Sequence, residues 1–169
     1  GFDFLNPYTW QVLFSYRKGW FVYTPVMILA IPGFISLYRK NKALFPTIII
    51  YFIVNLFVVS SWTCWWYAGG SYSQRALLTS YILLALPVGY FIEEMFSRKL
   101  TRILIITVLV IFTTLNIFQT WQWVHGVINP TRMTKAYYWK VFGRTKIPEG
   151  ASNLLLVERS DNEILANPE

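Results

Sequence analysis

The sequence predicts an all-α protein lying mostly within a membrane. Two compositional facts and one pattern carry that expectation. Apolar residues make up 55% of the chain and charged residues only 14%, against roughly 25% charged in an ordinary soluble domain. The charges are clumped and leave four long apolar runs without any. Lysines and arginines sit beside those runs rather than inside them.

A bilayer core about 30 Å thick needs roughly 20 helical residues. Four segments meet that need: residues 20–37, 44–61, 76–92 and 103–121. Pro25, Pro32 and Pro87 fall inside them, where a membrane helix tolerates proline if neighbours satisfy the freed carbonyls. Kinks are expected in the first and third spans. Asn55 and Asn116 lie within spans two and four, where an amide seeks a partner across a helix interface. Both read as packing groups.

Orientation follows from the short loops. The loop after span one carries Arg39, Lys40 and Lys42, and the loop after span three carries Arg98, Lys99 and Arg102; the loop between spans two and three has only Arg75. The first and third loops are therefore expected on the cytoplasmic side, where Glu93 and Glu94 would balance Arg98 and Lys99. Residues 62–75 and both chain ends face outward. All eight tryptophans fall on that outer side. Residues 1–19 form an outer loop, opening "GFDFLNPYTW" without an initial Met, which reads as a piece of a longer protein. Residues 122–169 form an outer tail: "TKAYYWKVFGRTK" as an interfacial helix with Lys135 and Tyr138 packing it down, then "NLLLVERS" as a short strand.

Several functions are disfavoured. One cysteine, Cys64, and one histidine, His125, make a metal site improbable, so no metal or cofactor is expected. The net charge of +7 tracks membrane topology rather than nucleic acid.

The outer loop "WTCWWYAGGSYSQR" carries the chemistry. Trp62, Trp65 and Trp66 would share a helical face if span two continued outward, and with Tyr67 they are the candidate sugar or lipid contacts. Gly69 and Gly70 permit a sharp turn, and Ser71 or Ser73 can cap span three. Arg75 falls in that helix's first turn. Together Gly69, Gly70, Ser71, Ser73 and Arg75 form a candidate phosphate site. An arginine that snorkels to headgroups beside anchoring tryptophans gives the same pattern, and the residues alone leave both readings open. Arg17 and Lys18 are weaker candidates that more often mark an interface.

"NPYTWQVLFSYRKGWFVYTPV" followed by "SSWTCWWYAGGSYSQRALLTSYILLALPV" resembles the later spans of multi-span bacterial glycosyltransferases of the GT-C superfamily, in the family-39 branch related to protein O-mannosyltransferases. In those proteins a "GGxxxGxR" pattern follows a tryptophan-rich segment; here the run from Gly69 to Arg75 is one residue shorter, and Ser73, two before the arginine, stands where the third glycine is usual. The resemblance implies a multi-pass protein of the bacterial inner membrane. It implies sugar transfer from a polyprenyl phosphate at the outer leaflet to an acceptor glycan, lipid or protein, with Arg75 steadying the leaving phosphate. The catalytic base is expected upstream, so this stretch alone would be inactive. Asp3 reads as a local turn cap. The competing readings are a non-catalytic scaffold or transport protein, and a polysaccharide polymerase or ligase.

Overall fold

The computed structural model describes residues 1–66 and 70–157. It is all-helical, with 66% of residues in helix and no strand among the described residues; Phe2 and Trp62 form one isolated antiparallel bridge. Helices run in the order α1 (Thr9–Phe14), α2 (Trp20–Tyr23), α3 (Ala30–Lys40), α4 (Phe45–Ser60), α5 (Tyr81–Met95), α6 (Lys99–Val124) and α7 (Lys135–Val141). Among the described residues 3₁₀ segments flank them: Pro25–Leu29 enters α3, Arg75–Ser80 enters α5, and Ala151–Leu154 follows α7.

Among the described residues, two helical stretches are long and apolar enough to cross a membrane: Arg75–Met95 with 21 residues and Lys99–Val124 with 26. The expected second span is the shorter apolar helix α4, of 16 residues. The expected first span is broken rather than kinked, because proline has no N–H and disfavours helix in the residue before it. Thr24 leaves the helical region just before Pro25, and α2 stops. The freed Tyr23 carbonyl instead accepts from Asn116 Nδ2 at 2.5 Å and Tyr72 OH at 2.9 Å. Asn55 Nδ2 likewise donates to Ser80 Oγ at 2.7 Å. Both buried-span amides therefore bind separate elements together, as their positions suggested.

α3 and α5 pack closely. An atom added at the Gly33 Cβ position would lie 2.5 Å from the Pro87 carbonyl oxygen, so only glycine admits the contact. Pro32 lies in the first turn of α3, where a missing N–H costs nothing, and α5 runs unbroken through Pro87. At the far ends of these helices Ser36 Oγ donates to Glu94 at 2.6 Å, Arg39 pairs with Glu94 at 3.4 Å and Lys40 with Glu93 at 3.0 Å. The glutamates thus pair with α3 rather than with Arg98 and Lys99, because the Gly33–Pro87 approach brings α3 alongside α5.

At the opposite end the first residues are stitched to the end of α4: Asp3 N donates to the Ser61 carbonyl and Tyr8 N to that of Ser60, both at 2.7 Å. One buried cluster gathers Val12, Trp20, Phe21, Val59, Trp65, Trp66, Leu77 and Leu84. A second joins Tyr23 to Val127, Ile128, Met133, Tyr137, Tyr138 and Val141 of the tail. The tail's core is thus completed by α2.

α7 begins at Thr134, whose hydroxyl caps Tyr137 N at 3.1 Å. Its Tyr137 and Tyr138 are buried in protein, not turned to a lipid surface as an interfacial helix would have them, whereas Trp139 and Phe142 are exposed. The expected strand at "NLLLVERS" begins instead as 3₁₀ helix, and Leu156 N bonds the Arg132 carbonyl at 2.9 Å. With one backbone partner segment and no sheet, extended pairing stops there. Residues 158–160 of that stretch lie outside the described residues.

Candidate functional site

The polar feature of the aromatic end is a cleft where three segments meet. Its walls are Arg17, Lys18 and Tyr23; Ser71, Tyr72 and Ser73; and Trp123, Ile128, Asn129 and Pro130. It is narrow, with about 170 Å³ of free space including its open mouth.

Arg17 and Lys18 project from the turn between α1 and α2. Arg17 N donates to the Ser15 hydroxyl oxygen at 3.0 Å, fixing the turn. Its guanidinium lies over the Trp66 ring, 4.3 Å from the centroid, and its Nε donates to the Thr131 carbonyl at 2.6 Å. Stacking and hydrogen bonding at right angles hold an arginine more firmly than either contact alone. Lys18 is only 2% exposed. Its ammonium donates to the Ser71 carbonyl, with the Ser71 hydroxyl 3.5 Å away. No carboxylate pairs with it among the described residues. Burial, and then repulsion from Arg17, push its pKa down to about 8.

The second wall is strained at Ser73, whose left-handed backbone (φ 54°) costs a non-glycine residue about 1 kcal/mol; Gly70 (φ 70°) takes the same conformation freely. Ser73 is the position where glycine is usual in the pattern named above. Its hydroxyl lies 3.3 Å from that of Thr24, and Gly70 packs against Pro130. Tyr72 spans the cleft to the Tyr23 carbonyl, and its hydroxyl is 3.5 Å from Gln119 Oε1. Gln119 in turn donates to Tyr138 OH at 2.7 Å. Burial raises the pKa of Tyr72 and Tyr138, so both phenols stay protonated donors. The third wall is shaped by Asn129, whose Oδ1 accepts from Thr131 N at 3.0 Å and Arg132 N at 2.8 Å, a turn typical of Asn-Pro.

The chain shows no match to any protein-family model, curated protein or solved structure. The site therefore rests on its own geometry.

Of the candidate residues, Ser71 and Ser73 line the cleft and Gly70 flanks it; Gly69 and Tyr67 lie outside the described residues. Neither serine caps the following helix. It starts as a 3₁₀ turn at Arg75 behind Gln74, without a side-chain cap, because the left-handed Ser73 turns its hydroxyl to Thr24 instead. Arg75 is exposed and does not line the cleft, and its guanidinium has no partner among the described residues. The tryptophans do not share a helical face, since α4 ends at Ser60 and Ser61–Trp66 form turns. Trp65 and Trp66 are buried in the first core cluster, and Trp62 bridges to Phe2.

Other groups behave locally. Asp3 Oδ1 accepts from Leu5 N and Asn6 N at 3.1 Å, the expected turn cap. His125 is exposed and stacks on Trp121 with centroids 4.1 Å apart. No group of three metal-ligating side chains occurs among the described residues. The sequence ranked Lys18 below Arg75, and gave no role to Tyr72, Trp123 or Asn129. Only the Asn-Pro dipeptide offered a local signal. Among the described residues the cleft is lined by cations, hydroxyls and phenols but no acid, a set of groups suited to an anion.

Proposed function

We propose that this chain is part of a membrane glycosyltransferase of GT-C type that takes a sugar from a polyprenyl-phosphate donor on the outer side of the membrane. One observation carries this reading. Arg17, Lys18 and Tyr23 of the first stretch on which the resemblance rests and Ser71, Tyr72 and Ser73 of the second lie about fifty residues apart yet form facing walls of one cation-bearing cleft. Lys18 bonds Ser71, Tyr72 bonds the Tyr23 carbonyl and Thr24 meets Ser73.

The surroundings suit a lipid-linked anion. Of the two membrane-length helices, Lys99–Val124 has only 6% of its most apolar 18-residue window buried, the reverse of a soluble core helix. In this reading α4 and the broken α2–α3 rod also span the bilayer, making four spans with the cleft at the outer interface. Arg75, exposed and unengaged, meets the donor phosphate, while Gly70, Ser71 and Ser73 shape its seat. A sugar-transfer assay on the intact membrane protein tests this. Arg75→Ala should reduce transfer by more than tenfold while insertion is unchanged; undiminished transfer returns Arg75 to a headgroup anchor and favours the scaffold reading.

A further inference from the structure

The least explained group in the molecule is Lys18. Structural lysines in apolar surroundings normally pair with a carboxylate or extend their flexible stem until the ammonium reaches water. Lys18 does neither. It is almost wholly buried, it lies beside a second cation, and it is held by a neutral carbonyl and hydroxyl of Ser71. A buried charge with no carboxylate partner among the described residues is held there by fixed dipoles, and an incoming anion satisfies it best.

We infer that Lys18 is the fixed cationic ligand for a phosphate group, and that the Ser71 carbonyl holds the ammonium in place until a phosphate oxygen replaces it. The inference rests on the lipid-phosphate reading above and assigns the inner contact to Lys18 rather than to Arg75. Three features support it. Arg17 is anchored by Trp66 and Thr131, so its charge cannot swing away from the cleft. Tyr72 lines the same cleft with its hydroxyl held by the Tyr23 carbonyl, which leaves a neutral phenol rather than an acid beside the ammonium. The Ser71 carbonyl also occupies the place that a phosphate oxygen would take at the ammonium, and two residues on Ser73 holds a strained left-handed backbone.

The test uses the intact protein in phosphatidylcholine nanodiscs, with farnesyl phosphate and inorganic phosphate as separate calorimetric probes. Wild type should bind farnesyl phosphate, and Lys18→Met should weaken that binding by more than about tenfold. Lys18→Arg should retain most of it. Lys18→Met should melt no lower than wild type, since it removes an uncompensated buried charge, so lost binding is not lost folding. If Lys18→Met binds like wild type while Arg75→Ala does not, Lys18 is not the ligand and the lipid-phosphate reading survives. If inorganic phosphate binds as well as farnesyl phosphate and both need Lys18, the anion site stands and the lipid donor falls. No binding of either probe by wild type overturns both.

Discussion

Gly33 of α3 lies against the backbone of Pro87 in α5, so close that a Cβ there would sit 2.5 Å from the Pro87 carbonyl oxygen and 2.6 Å from its carbonyl carbon. Small residues allow this kind of backbone approach between membrane helices. The approach also sets up the Ser36, Arg39 and Lys40 contacts to Glu93 and Glu94 one and two turns on.

Gly33→Val should therefore separate α3 from α5 and cost about 1–3 kcal/mol, the usual range for overpacking. The measurement is thermal unfolding in detergent. Ile35→Val, at an exposed position of the same helix, should leave the melting temperature unchanged. Equal effects from both would mean the Gly33 contact is not formed.

Asn116 and Tyr72 both satisfy the Tyr23 carbonyl, left without its helical partner at the Thr24–Pro25 break because Met27 N bonds the Thr24 carbonyl instead. Asn116→Leu alone should cost about 1 kcal/mol, because Tyr72 still donates. Adding Tyr72→Phe leaves the carbonyl with neither donor, so the double variant should lose more than the two single losses summed. A double-mutant cycle by denaturant unfolding checks this. Strict additivity would show that the two donors do not share one acceptor.

Ser73 combines a left-handed backbone with a hydroxyl contact to Thr24. Ser73→Ala keeps the strain and loses the contact. Ser73→Gly loses the contact but relieves the strain, and should be the more stable of the two by about 1 kcal/mol. Comparing their unfolding midpoints decides it; an alanine variant at least as stable as glycine would mean that Ser73 is not held at positive φ.

Anion binding should depend on pH through Lys18. The groups facing its ammonium are Arg17 on its own turn and, across the cleft, Ser71, Tyr72 and Tyr23. Arg17 stays charged, and burial keeps Tyr72 neutral. With the folded pKa lowered to about 8 from 10.5, Lys18 is charged below pH 8 and loses its proton above it. Affinity for farnesyl phosphate should fall as pH rises through about 8, and should stay level in Lys18→Arg. The sign for stability is opposite. Between about 8 and 10.5 the unfolded chain keeps a proton that the folded chain has released, so the Lys18 contribution to stability rises with pH. Calorimetric titrations and melting curves over that range check both signs.

Much of the helical layout was legible because it follows from local rules. Charge-free runs, the residues that flank them and the positions of Pro25, Asn55 and Asn116 are read directly from the chain. The tail's dependence on α2 was not legible, since Tyr23, Gln119 and Tyr138 come together only when the Thr24–Pro25 break redirects the chain. Arg75 stood out as the single cation between two apolar runs, yet its side chain is exposed. Lys18 looked like an ordinary basic flank, yet it is buried.

The sequence by itself determined an all-helical, strongly apolar chain with cations at the ends of its helices, because hydropathy, helix-breaking proline and clustered charge act over one or two turns. Tertiary structure alone decided which cation is withdrawn from water and which hydroxyls it faces. Burial is a property of the packed whole: Lys18 and Ser71, 53 residues apart, meet only because α2, the 70–73 turn and the Asn129–Pro130 turn close around the same space.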